Sequence, residues 1–266
     1  MANAAFTTTD LKPGDGYVQS FARGLEVIRS FSASAPRQTL TEVAGRSGLS
    51  RAGARRILLT LEALGYVRSD GKLFSLSPRI LDLGFAYLSS MPIWNLAEPV
   101  METLAAQVKE SCSSAVLDGT DIVYVLRVST HKIMSINLSV GSRLPAYCTS
   151  MGRMLLSALP EGELMECLDA SDLTARTRYT VTDVKELIAK IGQVRRQGWS
   201  LVNQELEEGL VSMAVPITNW AGQTVAALNI SGQANRTSAK AMQEAMLPQL
   251  LAAAQTISRM LRVQRT

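Results

Sequence analysis

An α+β fold in two parts, the first a winged helix-turn-helix, is what this sequence predicts, and three observations predict it. From Thr39 to Gly65, TLTEVAGRSGLSRAGARRILLTLEALG, two helical patterns meet at a turn too tight for an ordinary loop. YVRS and KLFSL then flank Asp70-Gly71, a two-residue hairpin signal. Beyond residue 93, strand patterns fall in groups with helices to the sides, the signature of a largely antiparallel sheet.

The elements follow in order. Residues 1–16 mix Thr, Asp, Pro and Gly without periodicity and read as a tail. Between Gln19 and Phe31, the residues Phe21, Leu25, Ile28 and Phe31 share a helical face, and Ala35-Pro36 breaks the helix. Thr39 and Glu42 have capping-box spacing, so a helix begins at Leu40 and ends at Ser47-Gly48. Ser50 caps the next helix. Its buried stripe is Ala54, Ile57, Leu58, Leu61 and Leu64, and Gly65 stops it. The other face, Ser50, Arg51, Ala52, Arg55, Arg56 and Thr60, is cationic and rich in donors, which suits an element entering a DNA major groove N-terminus first. With the hairpin this makes a winged helix-turn-helix over residues 17–77. Arg68 and Lys72 near the hairpin tip are set to meet phosphates or a minor groove, and Thr39 joins the candidate DNA contacts.

Ser77-Pro78 starts a helix to about Ser90 whose apolar side chains point nearly all round, so residues 78–92 read as a linker and dimer-forming helix. In residues 93–266 a helix is expected at Asn95–Lys109, with strands at Ser113–Leu117, Ile122–Val128 and Lys132–Val140. Ser150 is expected to cap a helix through Ala158 and Pro160 to start another, while Asp183 caps one ending at Gly198. Strands at Trp199–Gln204, Ser212–Ile217 and Thr224–Ser231 precede a long helix from Ser238.

Composition bounds the function. The length of 266 residues suits two domains, and no apolar segment is long enough to span a bilayer. Nothing at the N-terminus resembles a signal peptide. Cys112, Cys148 and Cys167 are too few and too widely spaced for a disulfide framework or a zinc site, so a cytoplasmic setting is expected. Tyr17–Arg79 holds ten Lys or Arg against four Asp or Glu, whereas Leu81–Thr266 holds sixteen against seventeen. Cations gathered at one end indicate contact with nucleic acid, and the helix suited to a major groove makes double-stranded DNA the expected partner.

Catalysis finds little support. A thiol hydrolase would need Cys148 with His131, and a serine enzyme would need Ser150. There is one histidine in all, no G-x-S-x-G elbow and no telling third group. Gly45, Gly48 and Gly53 match neither a P-loop nor a dinucleotide fingerprint, and no cofactor is expected. An interaction module without a ligand is the other competitor.

Along nearly its whole length the chain resembles the IclR family of transcriptional regulators. RGLEVIRSF, LTEVAGRSGLSRAGARRILLTLEALGYV, LSPRILDLGFAYL, GSRLPAYCTSMGRMLLSALP, RRQGWSLVNQELEEGLVSMAVPI and AALNISG carry the likeness. LSVGSRLPAYCTSMGR and QGWSLVNQELEEGL resemble more narrowly the branch that controls aromatic-acid breakdown through the β-ketoadipate pathway. The resemblance implies a winged-helix domain, a linker helix and a C-terminal GAF-like effector-binding domain, working on promoter DNA as a homodimer or tetramer. It implies a small carboxylic-acid effector, of the protocatechuate, 4-hydroxybenzoate or β-ketoadipate class. By position it implies a pocket lined by Ser150, Met151, Val202, Ser212, Asn229 and Ser231. Some relatives carry Asp at the positions of Val202 and Asn203, and the loss of negative charge here suits an anionic ligand. Arg143 and Tyr147 are candidates for pairing with the carboxylate and for contacting a ring. A regulator of another carboxylic-acid pathway is the alternative.

Overall fold

The computed structural model describes residues 16–90, 93–129 and 138–263, which form two compact units divided between Met91 and Pro92.

In the first unit, α1 (Gln19–Arg29), α2 (Leu40–Arg46) and α3 (Arg51–Ala63) enclose a core of Val27, Phe31, Val43, Ala54, Leu58 and Val67. The α1 face differs from expectation. Phe21 and Leu25 are exposed, and Val27 with Phe31 supplies the burial. α2 starts as the capping box requires: Thr39 Oγ1 accepts from the Glu42 N–H at 3.3 Å, and the Thr39 N–H donates to Glu42 Oε2 at 2.7 Å. Gly48 takes φ +66° just after α2, a backbone conformation that costs glycine nothing. In α3, Ala54, Leu58 and Leu61 are buried while Leu64 is exposed.

The wing is a three-stranded antiparallel sheet in the order β1 (Arg37–Thr39), β3 (Leu73–Leu76), β2 (Val67–Ser69). Three-residue β1 carries no alternation from which it could be read. The hairpin turn lies one residue later than its Asp-Gly signal suggests. Ser69 pairs with Phe74 and the Asp70 N–H donates to the Leu73 carbonyl, leaving Gly71 and Lys72 as the central residues. Only Gly71, at φ +94°, is left-handed there, because Asp70 Oδ1 holds the turn by accepting from the Lys72 and Leu73 N–H groups at 3.1 and 2.8 Å. After a 3-10 turn at Pro78–Ile80, α4 (Leu81–Ser89) buries none of its residues, and Leu81 and Phe85 are 70% and 68% exposed.

The second unit is built on six strands, each antiparallel to its neighbours: β6 (Arg143–Pro145), β5 (Asp121–Val128), β4 (Ser111–Asp118), β9 (Thr224–Gln233), β8 (Leu210–Thr218) and β7 (Ser200–Asn203), in that order across the sheet. α5 (Ile93–Val108) and α9 (Ala239–Val263) pack on each other and on the central strands. α6 (Ser150–Leu156), with α8 (Val184–Gln197) behind it, covers the opposite face over Ala115, Ala214 and Ala227, and α7 (Glu161–Asp169) adds Leu164 and Leu168 to that core. Asp183 caps α8 and Gly198 ends it at φ +77°, as its sequence requires. The strand expected at Lys132–Val140 lies largely outside the described residues; among those described, β5 is flanked on its outer side by Arg143–Pro145. One expectation shifts. The cap of α6 is Thr149, whose Oγ1 accepts from the Gly152 N–H at 3.1 Å, so Ser150 is the first helical residue.

Candidate functional site

The first unit presents its cations on one surface of α3. Ser50 Oγ accepts from the Gly53 N–H at 3.1 Å, fixing the helix start. From there Arg51, Ala52, Arg55 and Arg56 are all exposed, and the i, i+4 pairs Arg51/Arg55 and Ala52/Arg56 keep them on adjoining rows away from the buried stripe. Thr60 is exposed one turn on, its hydroxyl donating to the Arg56 carbonyl at 2.9 Å. Arg68 on β2 and Lys72 in the turn are also exposed. Among the described residues none of Arg51, Arg55, Arg56, Arg68 and Lys72 makes an ion pair, so their charge is available to an external polyanion. Two carboxylates of this unit are engaged otherwise. Asp70 is held below the ordinary carboxylate range by the Leu73 and Lys72 N–H groups and then by Arg37, and Glu42 is held low by its bonds to Thr39.

The second unit holds a cavity between its sheet and the start of α6. The cross-strand pairs Ser212↔Ser231 and Ala214↔Asn229 put Ser212, Asn229 and Ser231 on the α6 side. Ser150 and Met151 at the first turn of α6 form the facing wall, with Val202 and Leu210 at the β7–β8 side. Asn229 is oriented by two bonds: its Oδ1 accepts from the Ser113 N–H at 3.1 Å, and its Nδ2 donates to Ser231 Oγ at 3.0 Å. The cavity volume is about 20 Å³, room for about one water molecule.

Tyr124, Glu205 and Arg153, not singled out from sequence, shape this wall. Tyr124 on β5 lines the cavity, and burial pushes its phenol up to about 12, so it stays a neutral donor near pH 7. Glu205 lines it as well, and is neutralised by Arg153 of α6, which is only 3% exposed. The guanidinium grips both oxygens of Glu205, Nη1 to Oε1 at 2.7 Å and Nη2 to Oε2 at 2.5 Å, while its Nε donates to the Tyr147 carbonyl at 2.8 Å. Glu205 Oε2 accepts further from the Val181 N–H at 3.1 Å. The pair thus ties α6, the loop after β7 and the segment before α8 into one wall. Gly152 lets α6 start this close: a Cβ there would overlap the Ala146 backbone.

The remaining candidates fall elsewhere. Arg143 is held at the β4–β5 turn, its Nη1 on Asp118 at 2.6 Å and its Nε on Asp121 at 3.2 Å. Tyr147 is buried, with its hydroxyl donating to the Thr174 carbonyl, and Asn203 at the end of β7 is exposed. None of the three lines the cavity. Burial pushes the Cys148 thiol up to about 11, so near neutrality it is a thiol rather than a nucleophilic thiolate. His131 lies outside the described residues. Among the described residues no His, Cys, Asp and Glu cluster could hold a metal ion, and no helix is long and apolar enough to cross a membrane.

A helix-turn-helix unit whose basic face makes no ion pair among the described residues, joined to an α/β unit with a small polar cavity, has the build of a DNA-binding protein with a second, non-DNA domain. Comparison with known proteins gives the family. The IclR helix-turn-helix domain matches residues 20–71, and the bacterial transcriptional regulator IclR C-terminal domain matches residues 85–259. The chain belongs to the IclR family of transcriptional regulators, which are not enzymes. It is similar to the Pca regulon regulatory protein of Pseudomonas putida, 46% identical over 91% of this chain and 83% of that protein. It is similar also to the p-hydroxybenzoate hydroxylase transcriptional activator of Acinetobacter baylyi, 34% identical over 89% of each. A crystal structure of an IclR homologue from Microbacterium hydrocarbonoxydans complexed with 4-hydroxybenzoate matches with a TM-score of 0.82 and 26% identity, over 92% of this chain and 99% of that one.

Proposed function

We propose that this chain is a DNA-binding regulator of genes for aromatic-acid or dicarboxylate breakdown, controlled by a small carboxylic acid of the protocatechuate, 4-hydroxybenzoate or β-ketoadipate class. One observation carries the effector half of this reading. Six residues expected at the ligand from resemblance, Ser150, Met151, Val202, Ser212, Asn229 and Ser231, line one cavity in a domain that matches a 4-hydroxybenzoate-bound homologue. The domains on this reading are a winged head at 17–77 after the tail 1–16, a linker helix at 78–92 and an effector domain at 93–266. The two-sided antiparallel sheet supports describing the last as GAF-like. The head contacts promoter DNA through Thr39, Ser50, Arg51, Ala52, Arg55, Arg56, Thr60, Arg68 and Lys72, in the cytoplasm, as a homodimer or a pair of dimers.

The control is a population shift. An effector that prefers one arrangement of the dimer changes how the two heads meet half-sites of fixed spacing. A cavity of about 20 Å³ does not take a benzene ring, so binding parts its walls, and an acid bound there but not by the unfolded chain raises the stability of the native state. Thermal melting with protocatechuate, 4-hydroxybenzoate, β-ketoadipate, cis,cis-muconate and glyoxylate tests this. An acid of the proposed class present at about 100 times its Kd stabilises the native state by about 2.7 kcal/mol and raises Tm. No shift with any of the first three would remove the effector class and leave the DNA-binding head standing.

A further inference from the structure

An acid effector needs a counter-charge at the cavity, and the arginines nearby differ in what they have free. Arg153 is committed to Glu205 and the Tyr147 carbonyl, and Arg143 to Asp118 and Asp121. The β7 side of the cavity thus carries a carboxylate already matched by its own arginine, and no cation is left over there for an incoming acid. Arg127, on β5 at the other side, is placed differently. It is three residues from Tyr124, a separation that in a regular strand puts two side chains on opposite faces. The bulge between Ser114 and Ala115 changes this: Tyr124 pairs with Ala115, Arg127 pairs with Ser113, and one residue of β5 has no partner between them. Both side chains therefore stand on the α6 face of the sheet, Tyr124 in the cavity wall and Arg127 just outside it, across Ser113 from the wall residue Asn229.

Among the described residues the contacts of Arg127 are with neutral groups. Its Nη1 donates to Ser113 Oγ at 3.3 Å and its Nε to Ser129 Oγ at 3.0 Å. Among the described residues no carboxylate pairs with it, and residues 130–137, which follow in the chain, contain neither Asp nor Glu. From Arg127 a chain of hydrogen bonds leads through Ser113 and Asn229 to Ser231 in the cavity wall. We propose that Arg127 anchors the effector's carboxylate at the β5 side of the cavity, with Tyr124 and the Ser113–Asn229–Ser231 chain holding the group in register. The proposal rests on the effector reading above. It makes the site polar in one sense, a cation with no carboxylate partner among the described residues on the β5 side and a neutralised carboxylate on the β7 side, so an acid enters with its carboxylate toward Arg127.

Calorimetric titration of the full chain tests this, using 4-hydroxybenzoate, protocatechuate and β-ketoadipate, and the neutral amide of whichever acid binds tightest. The wild type should prefer acid to amide by at least about 10-fold. Arg127→Gln should weaken the acid by about 10- to 100-fold, the range of a charge-assisted hydrogen bond, and leave the amide within about two-fold. An R127Q protein that keeps its acid preference, or that loses acid and amide alike, overturns the anchor. Should R127Q fail to fold, Arg127→Lys decides: it keeps the charge without the planar fork, so the acid should weaken by about 10-fold with the amide unchanged, whereas wild-type affinities for both overturn the proposal. A wild type that binds none of the acids overturns the effector reading itself, and the anchor falls with it.

Discussion

Arg153 and Glu205 show how far single residues here depend on their partners. Both are nearly inaccessible, and every group that bonds to a Glu205 oxygen is itself held. Removing one partner leaves an uncompensated buried charge, so Arg153→Ala or Glu205→Ala should cost about 3–5 kcal/mol in urea unfolding. Arg153→Met with Glu205→Leu should recover most of that loss, because two apolar groups leave no charge behind. A double variant as unstable as either single one would show that the hydrogen bonds to the Tyr147 carbonyl and from Val181 matter more than the charge. Neither residue was legible as a site. They stand 52 residues apart, and an isolated Arg and Glu in sequence carry no sign that they are one buried unit. Arg143 shows the converse. It sits beside the α6 loop in sequence, which suggested a ligand contact, but the β4–β5 turn brings Asp118 and Asp121 to it first.

At the level of elements, α3 and α4 face solvent for different reasons. The exposed row of α3 is cationic and unpaired, so its arginines should act on DNA mainly through phosphates and counterion release. Arg55→Ala or Arg56→Ala should lower the slope of log Kobs against log salt by about 0.9 for each phosphate that is no longer neutralised. An unchanged slope with relaxed sequence preference would assign that arginine to a base edge instead. α4 is apolar and exposed, which for nine residues is a poor ending in water. Leu81→Lys with Phe85→Lys should shift the sedimentation-velocity distribution toward monomer while leaving the fold signature in circular dichroism intact. A variant that sediments as the wild type does would take α4 out of the assembly. These helices were legible because their signals are local: a cap, a period and a stop within a dozen residues. The same locality explains the misses. β1 is too short to alternate, the wing turn moved by one residue because Asp70 captures two N–H groups, and α6 took Thr149 as its cap in place of Ser150.

For the whole molecule, the sequence indicates which residues belong to which domain better than it indicates which of them meet. The basic N-terminal end, the linker and the antiparallel second sheet can each be read from composition and pattern. The cavity cannot: only resemblance, not pattern, located six of its lining residues, since it joins β5, β7, β8 and β9 with α6, and the bulge that sets Arg127 on the same face leaves no mark in the sequence of β5. That sheet has one more consequence, which concerns time rather than geometry. β4 finds its inner neighbour only in β9, and the Ser113–Asn229 bond closes a separation of 116 residues. On the ribosome, the head with its basic α3 is complete long before the strand that closes the effector cavity has been made. During synthesis, therefore, each chain passes through an interval in which its basic head is complete while the pocket that is to govern it still lacks a wall.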